Sequence, residues 1–234
     1  MSARADRGRV RRVLRSLSTI LIVAGVLLIA DAVLTVSWQE PSSAVFTQIE
    51  QRRLSGQLED LQTDALTTVD RRALATLRSD ERRLAFAARA LDRRARDGKP
   101  VGRIRVKRIG ISDVVVAGTD PRDLRRGPGH YPDTPLPGAR GTVGIAGHRT
   151  TYGAPFRHID RLRRGDRIEI DMPYGRFTYA VERTRIVPPT ATYVTDRVSF
   201  DRLILSACHP LYSAAKRIVV FARLVKSEPR GSLA

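Results

Sequence analysis

The sequence predicts an all-β domain, a barrel or a sandwich, carried behind two helical segments. Three observations point there. From Val101 onward, short β-branched runs alternate with turn residues and no helical period survives. Residues 42–98 instead repeat apolar residues every three or four positions. Ahead of both lies a stretch of 20 mostly apolar residues, Leu17 to Val36.

The first segment, residues 1–16, carries Arg4, Arg7, Arg9, Arg11, Arg12 and Arg15 against Asp6. The next 20 residues would be about 30 Å long as a helix, enough to span a bilayer. Arginines before the span keep the N-terminus cytoplasmic and send the rest of the chain outward. Asp31 falls near the outer end, where a carboxylate reaches headgroups at lower cost than at the centre. Trp38 suits the interface. A cleavable signal peptide is the competing reading, because Ala30-Asp31-Ala32 has small residues at cleavage-type positions. Val33, Leu34 and Val36 continue the apolar run and favour a retained anchor. Under either reading the helical and β segments are exported.

Residues 37–98 read as a helical stalk. Leu54, Leu58, Leu61, Ala65, Val69, Ala73 and Leu77, then Leu84, Ala88 and Leu91, mark one face. Pro41-Ser42-Ser43 is the entry, and Gly56 and Thr67-Thr68 are weak points that allow two helices instead of one. Asp97-Gly98-Lys99-Pro100 is the stop, with a glycine for the left-handed cap and a proline that cannot continue. An amphipathic stalk is the preferred reading. Irregular heptads speak against a coiled coil, and packing on the β domain to regulate access is the remaining alternative. The break at residues 97–100 is expected to let the part from Lys99 fold on its own.

Residues 99–228 form the β domain, with 229–234 as a tail. Expected strands are Arg103–Val106, Asp113–Ala117, Thr142–Ala146, Arg167–Asp171, Arg176–Val187, Leu203–Ala207 and Arg217–Val225. Turns fall at Gly165-Asp166, Pro173-Tyr174-Gly175 and Pro188-Pro189.

The chain has 42 basic and 24 acidic residues, a net charge of +18, and only Lys99, Lys107, Lys216 and Lys226 are lysines. Such a balance raises nucleic-acid binding. No aromatic-interleaved basic motif, zinc spacing or phosphate loop accompanies it. A basic protein beside an anionic membrane and wall accounts for the charge instead. No cofactor is expected, and no dense acidic cluster suggests calcium.

Cys208 is the only cysteine, at the end of Leu203-Ile204-Leu205-Ser206-Ala207-Cys208. It has no disulfide partner within the chain. A lone cysteine is ordinarily a small buried hydrophobe. Here, however, an imidazole, His148, and a guanidinium, Arg217, also stand at ends of expected strands. That trio suits nucleophilic cysteine chemistry.

The order of Gly127-Pro128-Gly129-His130-Tyr131-Pro132, Leu136-Pro137-Gly138, Val143-Gly144-Ile145-Ala146-Gly147-His148-Arg149, Gly165-Asp166, the Cys208 run and Arg217-Ile218-Val219-Val220 resembles the sortase transpeptidases. The resemblance runs from about Val101 to Val225 and is nearest to classes D and E. It implies an eight-stranded β-barrel. It further implies Cys208 as nucleophile, His148 as general acid and base, and Arg217 as stabiliser of the oxyanion and substrate. The implied substrates are secreted proteins with an LPxTG or LAxTG sorting signal, transferred to an amine of the cell wall or of a pilin subunit. Family members often carry Thr where Ala207 stands and Asn where Thr142 stands. His130 reads as structural and His158 as a surface group, while His209 adjoins the nucleophile without a geometry fixed by adjacency. Cysteine L,D-transpeptidases place His before Cys in a motif absent here, and papain-like enzymes reverse the chain order. A non-catalytic sortase-like assembly module is the remaining alternative.

Overall fold

Eight strands close on themselves in the order β1-β2-β3-β4-β7-β8-β6-β5. The structure is a computed structural model and describes residues 3–37, 41–64 and 67–230. The strands are β1 (Pro100–Val106), β2 (Ile111–Ala117), β3 (Gly129–His130), β4 (Thr142–Ala146), β5 (Arg167–Met172), β6 (Gly175–Val187), β7 (Arg202–His209) and β8 (Lys216–Pro229). β2 pairs with β3, and β4 with β7, in parallel; the other neighbours are antiparallel. Closure leaves no free edge, so the short strands satisfy their backbone groups without a second sheet.

All seven expected strands are present. The eighth, β3, is only two residues long and sits in the Gly-Pro loop, too short to leave any alternation. Its backbone is held because Gly129 pairs with both Val116 and Ala146.

Pleating divides the side chains of each strand between two faces. Val143, Ile145, Leu203, Leu205, Ala207, Ile218, Val220 and Ala222 belong to the main core inside the barrel. Ile204, Val219 and Phe221, one residue out of step, join Val187 and Val194 in a separate cluster on the outer face. The outer cluster covers the β7–β8 ladder with the connection that leaves β6, including a short turn at Thr192–Thr195.

The helices are α1 (Ala3–Ser37), α2 (Pro41–Asp64), α3 (Thr68–Ala75) and α4 (Asp80–Asp92). α1 forms one unit, and residues 42–230 belong to another. Within α1, Leu14–Ala32 is 19 residues with a mean hydropathy of 1.9, long and apolar enough to cross a membrane. Trp38 and Ala65 lie outside the described residues.

α2 runs unbroken through Gly56. The division comes instead at Thr67, which caps α3 in a reciprocal box with Asp70. Arg94 bonds to the same Asp70 carboxylate. α4 ends at Asp92, ahead of Gly98, which holds a left-handed φ of 71° just before β1.

The helical segment expected as a stalk has its apolar face turned to the barrel. Leu54 and Leu58 of α2 are buried against Val114 and Val116 of β2. The Gln51 amide both accepts from the backbone N–H of Val114 (2.7 Å) and donates to its carbonyl (3.1 Å), as another strand would. Leu84, Ala87, Ala88 and Leu91 of α4 join the main core. Leu84 lies against Gly175, which pairs with Pro229, whereas the other end of the β6–β8 ladder pairs Val187 with Arg217. α4 therefore covers the end of the barrel away from Cys208.

Candidate active site

Backbone register pairs Cys208 with Arg217 and leads the segment carrying His148 to the same end of the barrel. β7 and β8 pair Cys208 directly with Arg217. β4 runs parallel to β7 with a constant offset of 60 residues, from Thr142 opposite Arg202 to Ala146 opposite Ser206. The Gly147 N–H then donates to the Ser206 carbonyl at 3.0 Å. Continued by two residues, that register sets His148 beside Cys208. Cys208 shares the face of Ile204 and Ser206, and Arg217 that of Val219 and Phe221, so both face outward.

Glycines on both sides of the β4 end make close approaches here. A Cβ on Gly144 would stand 2.6 Å from the Tyr131 ring, and one on Gly147 would stand 2.6 Å from the ring of Phe156. Glycine is required at both positions for close approach. The Tyr131 hydroxyl in turn shares a 2.8 Å hydrogen bond with the Ser206 hydroxyl. Ala207, the residue before Cys208, is buried in the inner core.

His148 is half-buried, and its Nε2 is buried with no protein hydrogen-bond partner. Its ring lies 5.2 Å from that of Tyr152, and the Arg125 guanidinium lies 5.5 Å from the Tyr152 ring centroid. Burial first, and the positive charge of Arg125 second, push the imidazole below its ordinary pKa. The surrounding loop is tight, with Tyr152, Gly153 and Ala154 all at positive φ. α2 braces it: the Tyr152 N–H donates to the Ser43 hydroxyl at 3.3 Å, and the Thr47 hydroxyl donates to the Arg125 carbonyl at 3.3 Å.

Cys208 is a half-buried free thiol. The Arg217 guanidinium is held at the mouth of the β7–β8 turn, where Nη1 donates to the carbonyls of Ala214 (2.9 Å) and Lys216 (3.0 Å).

Arg149, the last residue of its motif, and His209, whose geometry adjacency left open, also join this end of the barrel. Arg149 is almost fully buried, with a side chain 4% exposed. Its Nε donates to the Arg157 carbonyl (3.3 Å), its Nη1 to His209 Nδ1 (3.0 Å), and its Nη2 pairs with Asp160 (2.9 Å). Their positions, one after His148 and one after Cys208, were the only signal in the sequence.

The other histidines fall into place. His130 is 4% exposed and shares hydrogen bonds of 3.2 Å with the Pro135 carbonyl and the Thr134 hydroxyl. Burial lowers its pKa, as suits a neutral structural imidazole. His158, read as a surface group, is half-buried because it opens the turn at Ile159–Arg161. Among the described residues, no group of three or more His, Cys, Asp or Glu side chains is arranged to hold a metal ion.

The family model for the Sortase domain matches residues 104–225, more than half of this 234-residue chain. The chain belongs to the sortase family. Among curated relatives, Sortase D of Bacillus subtilis (strain 168) is 33% identical over 132 residues, covering 55% of this sortase and 65% of the relative. Sortase SrtE1 of Streptomyces coelicolor is 31% identical over 116 residues, covering 44% and 33%. This sortase thus spans less than two thirds of the length of either. Solved structures agree. Sortase E1 from Streptomyces coelicolor, determined with a tripeptide in its active site, superposes with a TM-score of 0.55 at 26% identity, covering 58% of this chain and 94% of that one. Sortase E from Streptomyces avermitilis gives 0.53 at 30% identity, covering 59% and 99%.

Proposed function

We propose that this sortase is a membrane-anchored cysteine transpeptidase in which Cys208, His148 and Arg217 carry the reaction. The observation that supports it most is the register. Cys208 pairs with Arg217 across β7 and β8, and the β4–β7 ladder leads His148 to the same end.

The Cys208 thiolate attacks the carbonyl carbon of the scissile peptide in an LPxTG- or LAxTG-type sorting signal, between Thr and Gly. A thiol has a reference pKa of about 8.5, so a cationic neighbour is needed to raise the thiolate fraction at neutral pH. The oxyanion that forms takes its donor from Arg217, whose planar guanidinium stands one strand away from the nucleophile. Collapse breaks the C–N bond, and protonated His148 gives its proton to the departing glycine amine. The thioester is then attacked by an amine of the cell wall or of a pilin subunit. His148 accepts that amine's proton, and Cys208 leaves as the thiolate. The burial that lowers the His148 pKa keeps its acid form scarce at neutral pH. The orphaned Nε2 provides a free site for the proton that moves.

α1 holds the enzyme in the membrane, with the arginine-rich residues 1–16 cytoplasmic and the catalytic barrel outside. Mass spectrometry of the enzyme with an LPxTG or an LAxTG peptide tests this reading. An acyl adduct on Cys208 is expected with one of them and is absent from Cys208→Ala. Peptide cleavage by Cys208→Ala at the wild-type rate would sink it.

A further inference from the structure

We propose that Arg149 and His209 form a positioning pair that sets His148 against Cys208 from behind the sheet; this rests on the reading of those two residues as the reacting pair. The backbone ladder between β4 and β7 ends early. Its last bond is the Gly147 N–H to the Ser206 carbonyl, one residue short of His148 and two short of Cys208. Beyond it, no backbone hydrogen bond joins the two strands among the described residues. The Arg149 Nη1 to His209 Nδ1 bond, at 3.0 Å, resumes the connection with side chains. It keeps the offset of 60 residues, as Ala146 does with Ser206.

Neighbouring residues of extended backbone point to opposite faces. His209, the last residue of β7, therefore stands on the face opposite Cys208, and Arg149, in the bend that follows β4, meets it with a side chain 4% exposed. The pair in front can react only if the pair behind holds the strand ends in register. A similar side-chain clasp closes the other end of the same ladder, where Arg202 Nε donates to the Thr142 hydroxyl at 3.2 Å, again with the offset of 60.

Arg149 is built for such a role. Its guanidinium is planar and directs its donors along fixed axes. One goes to the Arg157 carbonyl, one to the Asp160 carboxylate and one to His209, so the segment after His148 is fixed from three sides. A buried arginine left without these acceptors would be costly, which holds the arrangement together. The bond to His209 also sets its tautomer: Nδ1 accepts, so the ring proton is on Nε2.

The test exploits shape. Asn places its amide near the ring's Nδ1 position, and Gln near Nε2. His209→Phe removes the acceptor, His209→Asn restores it, and His209→Gln offers it at the wrong place. With the full chain in detergent, 1,3-dibromoacetone should cross-link Cys208 to His148 in the wild type and in His209→Asn. In His209→Phe and His209→Gln the reagent should alkylate Cys208 but give a cross-link yield lower by about tenfold, since misplacement of about 1 Å costs up to about 10² in such steps. With an LAxTG peptide, kcat should follow the cross-link while KM stays nearly constant. If His209→Phe fails to fold, the Asn and Gln variants carry the same comparison. Equal cross-linking by His209→Gln and His209→Asn would overturn the positioning pair alone. A wild-type chain that alkylates but never cross-links would overturn the His148–Cys208 pairing as well.

Discussion

Arg217 and Cys208 face each other across one antiparallel ladder, so their relation depends on a single register that a bulge or slip would destroy. Arg217 also donates twice to backbone carbonyls of the turn, which steadies the guanidinium. Lysine keeps the charge but not the planar fork. Arg217→Lys is therefore expected to lower kcat by about 10² or more, the scale seen when one oxyanion donor is lost. Steady-state kinetics with an LAxTG or LPxTG peptide measures it; a near-wild-type kcat would show that charge alone suffices. His148 has a second dependence. Burial and Arg125 both disfavour its cationic form, in that order. Removing the Arg125 charge removes one of these causes, so Arg125→Gln should raise the His148 pKa and let its acid form persist to higher pH. Titration of the His148 ring by NMR reads this directly. No shift, or a downward one, would show that Arg125 is too screened by solvent to matter.

At the scale of elements, α4 contributes to the barrel core through Leu84, Ala87, Ala88 and Leu91. Leu84 is 2% exposed and rests against the turn between β5 and β6. Leu84→Ala should destabilise residues 42–234 by about 2–5 kcal/mol, the range for a buried leucine that leaves a cavity. A urea unfolding curve measures it; a loss below about 0.5 kcal/mol, the scale of surface substitutions, would show that α4 is not part of the cooperative core. Some features of these elements were legible in the chain. Thr67 was a weak point in the helical pattern, and it caps α3 in a reciprocal box with Asp70 where the helix restarts. Gly56 did not break α2, because a glycine in a helix costs only about 1 kcal/mol and Leu54 and Leu58 on either side are anchored on β2. The helical period picked out Leu54, Leu58, Leu84, Ala88 and Leu91, which are buried, but missed Leu74, and it carries no information on what covers them.

For the whole molecule, the same packing alters what a fragment should do. The composition changes at residues 97–100, yet the hydrophobic contacts cross that line. A fragment from Ser42 should unfold cooperatively. A fragment from Lys99 uncovers Val114 and Val116 and loses the α4 side chains from the core, so it should melt lower and bind a hydrophobic dye. Equal melting temperatures for the two fragments would mean that the barrel needs no helical cover. The anchor has its own test: Edman sequencing of the exported protein should begin near Met1 or Ser2, whereas a start at Val33 would mark Ala32 as a cleavage site.

Seven of the eight strands, the membrane-length helix and the candidate trio of Cys208, His148 and Arg217 were legible in the sequence by itself. Each depends on short-range pattern: β-branched runs, a long apolar stretch, and motif residues at strand ends. Tertiary structure alone decided three other matters. β3 exists only because two neighbouring strands hold its two residues. The helical segment is attached to the barrel because β2 and the barrel's far end supply the apolar partners its face requires. Arg149 and His209 meet because a parallel ladder aligns positions 60 residues apart. A side-chain bond at that separation leaves no periodic trace in the chain, since its energy depends on register in space and not on spacing in sequence.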